Sequence, residues 1–162
     1  MINKYTNNFM MKHFKIHIFL KLIILTFFFS VICVSCSDED TAVDCIPYVS
    51  VHAQYNLSLP FYSDLNMPNG YVELPPDGTN GSRGVIIVNT GNGYNAYDRN
   101  APQICPSPNS TLVVEDDIKI VCPQDGAEWV LRSGQPLNDA TQGRTPRRFY
   151  TQLDGYVLTI TY

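Results

Sequence analysis

Short apolar runs separated by turn-forming residues are the feature that most constrains how this chain can fold. The clearest run is residues 85–88 (Val-Ile-Ile-Val), a β-branched stretch typical of a buried strand, and a strong hairpin signal, Thr-Gly-Asn-Gly at 90–93, follows it. No convincing helical period occurs after the N-terminal segment. Further strands are predicted over 71–74, 94–98, 111–114, 118–122, 127–131, 149–153 and 156–161, and a longer first strand ends at Pro60. The sequence therefore predicts an all-β fold, a sandwich or barrel of short antiparallel strands.

The N-terminus is predicted to be a targeting segment. Four lysines precede residues 22–34, which are apolar or small throughout. That run is typical of a signal peptide and is short for a membrane-spanning helix, which needs about 20 residues. We therefore assign residues 1–35 to a signal peptide, residues 36–45 to an acidic tether and residues 46–162 to one β domain.

The end of the targeting segment resembles a bacterial lipobox. In residues 33–36 (Cys-Val-Ser-Cys) a small residue precedes the cysteine that would carry lipid, although Cys33 is a poor match where an aliphatic residue is usual. Residues 38–40 (Asp-Glu-Asp) resemble the surface-export signal of Bacteroidetes lipoproteins. These resemblances imply lipidation at Cys36 and a lipid anchor in the bacterial outer membrane, with cell-surface display left open. Ordinary signal cleavage, with Cys36 as an incidental thiol, is the alternative.

The charge of the mature segment argues against a nucleic-acid partner. All fifteen acidic residues lie in residues 36–162, against seven Lys and Arg, which gives a net charge of about −8. Phosphate binding needs clustered Lys and Arg. The only basic cluster is better explained by a solvated loop; it consists of Arg144, Arg147 and Arg148.

The mature chain keeps three cysteines besides Cys36. Export places Cys45, Cys105 and Cys122 in an oxidising compartment, where disulfides persist. Three thiols allow one bridge and one leftover, and the residues alone leave the pairing open.

Two Cys-Pro loops lie seventeen residues apart, on either side of a predicted hairpin. The first reads Cys-Pro-Ser at 105–107, and the second reads Cys-Pro-Gln-Asp-Gly at 122–126. A strand ending in Ala-Tyr-Asp at 96–98 precedes them, and Trp129, a Ser-Gly turn at 133–134 and a terminal hairpin over 150–160 follow them. In this order the segments of residues 84–162 resemble a Rieske domain, and the whole chain resembles the Rieske-fold lipoproteins of Bacteroidetes.

The resemblance implies a ligand set in which both cluster histidines are replaced. Cys105 and Cys122 match the two thiolate positions of a Rieske 2Fe–2S cluster, whereas Ser107 and Asp125 match the two histidine positions. His52 is the only histidine of the mature chain, so it cannot supply two imidazoles. Hard oxygen donors would hold an exposed cluster less firmly and would alter its potential. We therefore expect no cofactor, and the alternative is a 2Fe–2S cluster with altered ligands.

The same resemblance implies a disulfide between Cys105 and Cys122. Both cysteines bind one iron in a Rieske domain, so the fold brings their sulfurs close, and an oxidising compartment then favours a bridge. Two buried free thiols are the alternative. Cys45 stays unassigned: it can pair with another chain, remain reduced, or displace one member of this bridge.

Other candidate sites have simpler explanations. A Cys or Ser nucleophile needs a base, and nothing in the sequence places His52 near one. Asp116 and Asp117 fit a hairpin turn better than a catalytic or calcium-binding carboxylate pair, and Asp125 with Glu128 is a candidate metal site near Cys122. The abundant aromatic residues are expected to pack between the sheets, with some exposed ones near the loops able to bind a glycan or a protein.

The predicted function is that of a membrane-anchored, exported lipoprotein whose Rieske-like domain lacks a normal cluster and acts as a binding or structural module. Its predicted partners are membrane lipid, through Cys36, and an unidentified protein or glycan. The alternative is a Rieske-type electron-transfer protein. An enzymatic role is not expected from these residues.

Overall fold

Residues 44–162 are the part of the chain that this computed structural model describes. They form nine strands: β1 His52–Asn56, β2 Tyr71–Leu74, β3 Val85–Asn89, β4 Tyr94–Asp98, β5 Val113–Glu115, β6 Lys119–Val121, β7 Glu128–Val130, β8 Arg148–Asp154 and β9 Val157–Thr161. Two 3₁₀ helices, Pro60–Asn66 and Asp139–Thr141, precede β2 and β8. Neither helix has the length and apolar character needed to span a bilayer. The predicted signal peptide, the lipidation site Cys36 and most of the acidic tether lie outside the described residues.

The strands form two antiparallel sheets. Six strands pair in the order β1-β9-β8-β4-β3-β2, and the other three pair in the order β5-β6-β7. The small sheet is inserted in the chain between β4 and β8, which are neighbours in the large sheet. The prediction of an all-β fold built from short antiparallel strands is therefore confirmed, and the predicted bounds of β2 and β4 hold to the residue.

Strand β3 separates two hydrophobic cores, which explains its uninterrupted apolar sequence. Successive side chains of a strand point to opposite faces of the sheet. Val85 and Ile87 belong to the first core, together with side chains from β1, β8 and β9. Ile86 and Val88 belong to the second core, which also takes side chains from the small sheet. All four are buried, so both faces of β3 need apolar residues.

The segment before β2 differs from the prediction. Strand β1 ends at Asn56 rather than near Pro60, and residues 60–66 form a 3₁₀ helix where the sequence indicated a strand end and a loop. Pro60 begins this helix, at a position where a backbone N–H has no helical partner in any case. Leu65 fixes the helix to the domain, because its side chain is fully buried in the first core.

Two side chains of β2 connect the large sheet to the small sheet. Glu73 Oε2 accepts a hydrogen bond from Arg99 Nη2 at 2.6 Å, and its Oε1 accepts one from the N–H of Val114 in β5 at 2.8 Å. The Tyr71 hydroxyl donates to Asp117 Oδ1, in the turn between β5 and β6, at 2.9 Å. Tyr71 and Glu73 lie on the face of β2 that adjoins the second core, so these bonds hold the small sheet against the large one.

Candidate functional site

The two Cys-Pro loops face each other at one end of the small sheet. The first loop precedes β5, and the second connects β6 to β7. Gln103 Nε2 in the first loop donates to Asp125 Oδ2 in the second at 2.8 Å. The Ser107 hydroxyl donates to Gln124 Oε1 in a short hydrogen bond. Two side-chain contacts therefore join the loops directly.

The second loop is closed by its own backbone. The N–H of Cys122 donates to the carbonyl of Ala127, and the N–H of Gly126 donates to the carbonyl of Cys122, both at 2.9 Å. Gly126 has a φ of +71°, in the left-handed region that glycine occupies without steric cost. Asp125 Oδ1 accepts from the N–H of Ala127 at 3.2 Å, which leaves Oδ2 for the first loop.

The disulfide joins Cys45 to Cys105, so the predicted bridge between Cys105 and Cys122 is wrong. The two bonded sulfurs are 2.03 Å apart, and the Cα atoms of Cys45 and Cys105 are 5.5 Å apart. Cys122 is a free cysteine that is fully buried in the second core, whereas Cys45 and Cys105 are both exposed. The Cys122 side chain therefore points into the domain, and the N-terminal segment reaches Cys105 from outside. Buried Ile46 fixes that segment to the domain.

Burial and a neighbouring carboxylate keep the Cys122 thiol protonated. Desolvation raises the pKa of this thiol, and its hydrogen bond to Asp125 raises the pKa further, against backbone N–H groups that lower it. Partial burial acts to raise the pKa of Asp125, but hydrogen bonds from Gln103, Cys122 and the N–H of Ala127 outweigh it and lower that pKa. Because the thiolate is the reactive form of a cysteine, the protonated Cys122 thiol is a poor nucleophile here.

A buried carboxylate fixes the start of the first loop. Asp98, at the end of β4, accepts hydrogen bonds from the N–H and the Nδ2 of Asn100 at 2.9 and 2.8 Å. Arg147 Nη1 lies 3.7 Å from its other oxygen. Desolvation raises the pKa of Asp98, although the bonds from Asn100 and the charge of Arg147 oppose the rise. These contacts set the direction in which the loop leaves the large sheet.

The side chains at the four predicted ligand positions do not fit a Rieske cluster. The Cys105 sulfur is bonded to Cys45 and is not a thiolate. The Ser107 hydroxyl and the Asp125 carboxylate are each engaged by a glutamine of the facing loop. Cluster iron requires deprotonated sulfur ligands. Among residues 44–162, no group of three or more His, Cys, Asp and Glu side chains is placed to hold a metal ion.

The remaining candidate residues serve other contacts. His52 is exposed on β1, which pairs with β9. Asp116 and Asp117 have φ values of +53° and +60° and form the turn between β5 and β6, as the sequence predicts. The Glu128 carboxylate pairs with Lys119 Nζ at 2.8 Å, on the adjacent strand. None of these side chains joins the contacts between the two loops.

The aromatic residues are divided between the cores and the surface. Trp129 is fully buried and donates its ring N–H to a backbone carbonyl at 2.7 Å. Tyr97 is buried with it in the second core, so the expectation of aromatic packing between the sheets holds for these two. Phe149 is buried in the first core, which takes no side chain from the small sheet. Tyr150 and Tyr156 are 66% and 69% exposed, because they lie on the outer side of β8 and in the turn after it.

Three residues of the site were not predicted. Cys45 carries the one available signal, the odd number of cysteines that remain besides Cys36, but that signal names no partner. Gln103 is buried and Gln124 is exposed, and each bonds to the opposite loop. A single glutamine in a loop belongs to no periodic pattern, so its long-range partner is not readable from sequence.

Comparisons with known protein families, with curated proteins and with solved structures find no match to this chain. The likeness of residues 84–162 to a Rieske domain therefore stays a prediction from the sequence. The functional argument rests on the geometry of the described residues.

Proposed function

We propose that this chain is a lipid-anchored, exported protein whose Rieske-like domain has no normal 2Fe–2S cluster and serves as a binding or structural module. The observation that supports this best is the closed contact between the two Cys-Pro loops. The sulfur of Cys105 is committed to Cys45, and the side chains of Ser107 and Asp125 bind the facing loop. Three of the four positions at which the resemblance would place cluster ligands are thereby engaged in other bonds.

The strand arrangement supports the Rieske-like part of the proposal. The small sheet is inserted in the chain between β4 and β8, which pair in the large sheet, and both Cys-Pro loops lie at one of its ends. A pair of facing loops is what the resemblance implies for the cluster-binding end of the fold. The loops are held together here by side-chain hydrogen bonds, so their pairing does not depend on iron.

An iron and acid-labile sulfide assay on anaerobically purified protein tests the absence of a normal cluster. We expect neither element in stoichiometric amount and no visible absorption of a 2Fe–2S centre. Cys45→Ala is the informative variant, because it frees the Cys105 thiol while Ser107 and Asp125 stay in place. Stoichiometric iron and sulfide in the unaltered protein would overturn the proposal in favour of an electron-transfer protein with altered ligands. Iron gained only by the variant would show that the disulfide alone excludes a cluster.

The lipid anchor at Cys36 is proposed from the lipobox resemblance. A single acyl chain binds a bilayer only marginally, at about 0.8 kcal/mol per buried methylene, whereas the two or three chains of a bacterial lipoprotein hold it firmly. Labelled palmitate should enter the protein in growing bacterial cells, and Cys36→Ala should abolish the label. Cys33→Ala, which keeps the proposed lipidated residue, is the matched control. Label that survives Cys36→Ala contradicts the anchor and leaves the outer-membrane location without support.

A further inference from the structure

Strand β2 leaves one edge of the large sheet open. It is the last strand in the order of that sheet and pairs only with β3. The N–H of Asn89 donates to the carbonyl of Gly70, so these two residues occupy a hydrogen-bonded position of the antiparallel ladder. Hydrogen-bonded and non-hydrogen-bonded pairs alternate along such a ladder. Tyr71 and Glu73 therefore lie at non-hydrogen-bonded pairs and direct their N–H and C=O groups away from β3. Within residues 44–162 these groups bind no other backbone group, so the edge is available to another strand.

A groove of about 800 Å³ runs along this edge. One wall comes from the first 3₁₀ helix and the loop after it, and includes Phe61 and Met67. The other wall comes from the turn between β5 and β6, and includes Asp117 and Ile118. Three large apolar side chains, those of Phe61, Met67 and Ile118, are 66%, 68% and 68% exposed. Apolar side chains grouped around a groove are typical of an interaction site rather than of isolated surface residues.

Every charged residue that lines the groove is acidic. The lining carboxylates belong to Asp64, Glu73 and Asp117, and no Lys or Arg lines it. Glu73 is neutralised by Arg99 at 2.6 Å, but none of the ion pairs of residues 44–162 involves Asp64 or Asp117. The groove therefore attracts a partner with basic residues and repels an acidic one.

The apolar walls suit the side chains of a peptide. The Phe61 ring packs edge-on against Tyr62, with centroids 5.0 Å apart, so it is a restrained aromatic surface for an aliphatic or cationic side chain. Met67 is unbranched and adapts to partners of different shape. The helix wall is fixed to the first core through Leu65, whereas the turn wall belongs to the small sheet over the second core. The two walls therefore lie on opposite faces of β2.

We infer that the open edge of β2 and this groove bind an extended protein segment, with alternating basic and apolar residues, by adding it as a further strand. In this mode the backbone of the segment bonds to Tyr71 and Glu73, and its alternate side chains contact the two walls. The inference rests on the proposed role as a binding module and names the class of partner. It does not use the cysteine loops, which lie at the other end of the small sheet.

The test is fluorescence anisotropy of the full chain, in detergent, with a labelled seven-residue peptide of alternating Lys and Val. Two comparison peptides isolate the two forces: one carries Glu in place of Lys, and the other carries an N-methyl group on every backbone nitrogen. We expect the Lys–Val peptide to bind, and the Glu–Val peptide to bind at least about tenfold more weakly at low salt. The N-methylated peptide should lose binding, because it cannot donate to a strand edge.

Paired variants locate the site. Asp64→Asn and Ile118→Ser should each weaken binding by about fivefold, since one removes a charge and the other an apolar contact. Asp154→Asn and Leu153→Ser, on exposed positions of β8, are the matched controls and should leave binding unchanged. Thermal unfolding of all four verifies that the domain is intact.

Several results would overturn the inference: equal binding of the acidic or the N-methylated peptide, equal losses in the β8 controls, or no binding of the Lys–Val peptide. Dimerisation of the protein that Ile118→Ser abolishes would also overturn it, in favour of a second copy of this chain. These failures leave the iron assay unaffected. If that assay finds no cluster and the peptide does not bind, the groove inference alone fails.

Discussion

Removal of the Cys45–Cys105 disulfide should lower the free energy of unfolding by about 4 kcal/mol. The bonded cysteines are 60 residues apart, and in the chain-entropy relation a loop of that length contributes about 4 kcal/mol at 25 °C. A bridge from Cys105 to Cys122 would close a loop of seventeen residues and contribute roughly 3 kcal/mol. Since a domain is stable by about 5–15 kcal/mol in total, the loss is a large part of its stability. The double variant Cys45→Ser/Cys105→Ser keeps the size of both side chains.

Urea unfolding followed by the fluorescence of Trp129 measures the loss, and reductant should destabilise the unaltered protein while leaving the double variant unchanged. Tryptic mapping checks the pairing, because cleavage after Arg99, Lys119 and Arg132 places Cys105 and Cys122 on different fragments. The fragment over 100–119 should be linked to the one that contains Cys45. A link between the fragments over 100–119 and 120–132, or a loss below about 1 kcal/mol, would refute the reasoning.

The remaining predictions concern buried charge. Glu73→Gln should lower the free energy of unfolding in urea by about 3 kcal/mol, because it leaves the largely buried Arg99 without its anion. Asp116→Asn, at the exposed pair with Lys119, should lower it by at most about 1 kcal/mol. Equal costs would contradict the bridging role of Glu73 between the sheets. Because the pKa of Asp98 is raised in the folded protein, the contribution of this carboxyl to stability is present below pH 3.8 and is lost as the pH rises through its pKa in the folded state. Asp98→Asn should therefore remove that decline from a plot of Tm against pH. The pKa of Asp125 is lowered instead, so its contribution to stability is present above pH 3.8 and is lost on acidification. The Tm of Asp125→Asn should therefore fall less steeply in acid than that of the unaltered protein. An equally steep fall would count against the contact of Asp125 with the first loop.

Local sequence signals were sufficient for most strands. Strands β2 and β4 have the predicted bounds because each is a short run enclosed by Gly, Pro, Asn or Asp residues that end pairing. The turn at Asp116 and Asp117 was predicted for the same local reason, since aspartate tolerates a positive φ. The first 3₁₀ helix was missed, because its single buried residue, Leu65, gives no period, and its stability comes from the first core.

The disulfide was mispredicted because the pairing of Cys105 with Cys122 was taken from the family resemblance. Residues two apart in a strand share a face, and Cys122 follows Ile120 at that spacing. Both are fully buried in the second core, so Cys122 faces inward and away from a surface partner. The partner of Cys105, by contrast, lies 60 residues earlier in the chain, where no local pattern indicates it. Val121, between Ile120 and Cys122, is apolar and buried as well, so the sequence alone does not show which way Cys122 faces, and it does not show the partner of Cys45 either.

The cysteine loops and the proposed peptide groove lie at opposite ends of β6, a strand of three residues. At about 3.3 Å per residue the strand itself spans only roughly 10 Å. The contacts that shape the two ends nevertheless involve different residues. The loop end depends on the disulfide and on the bond between Gln103 and Asp125, whereas the groove end depends on Glu73 and on Tyr71. Reduction of the disulfide should therefore lower the free energy of unfolding without removing a contact that forms the groove.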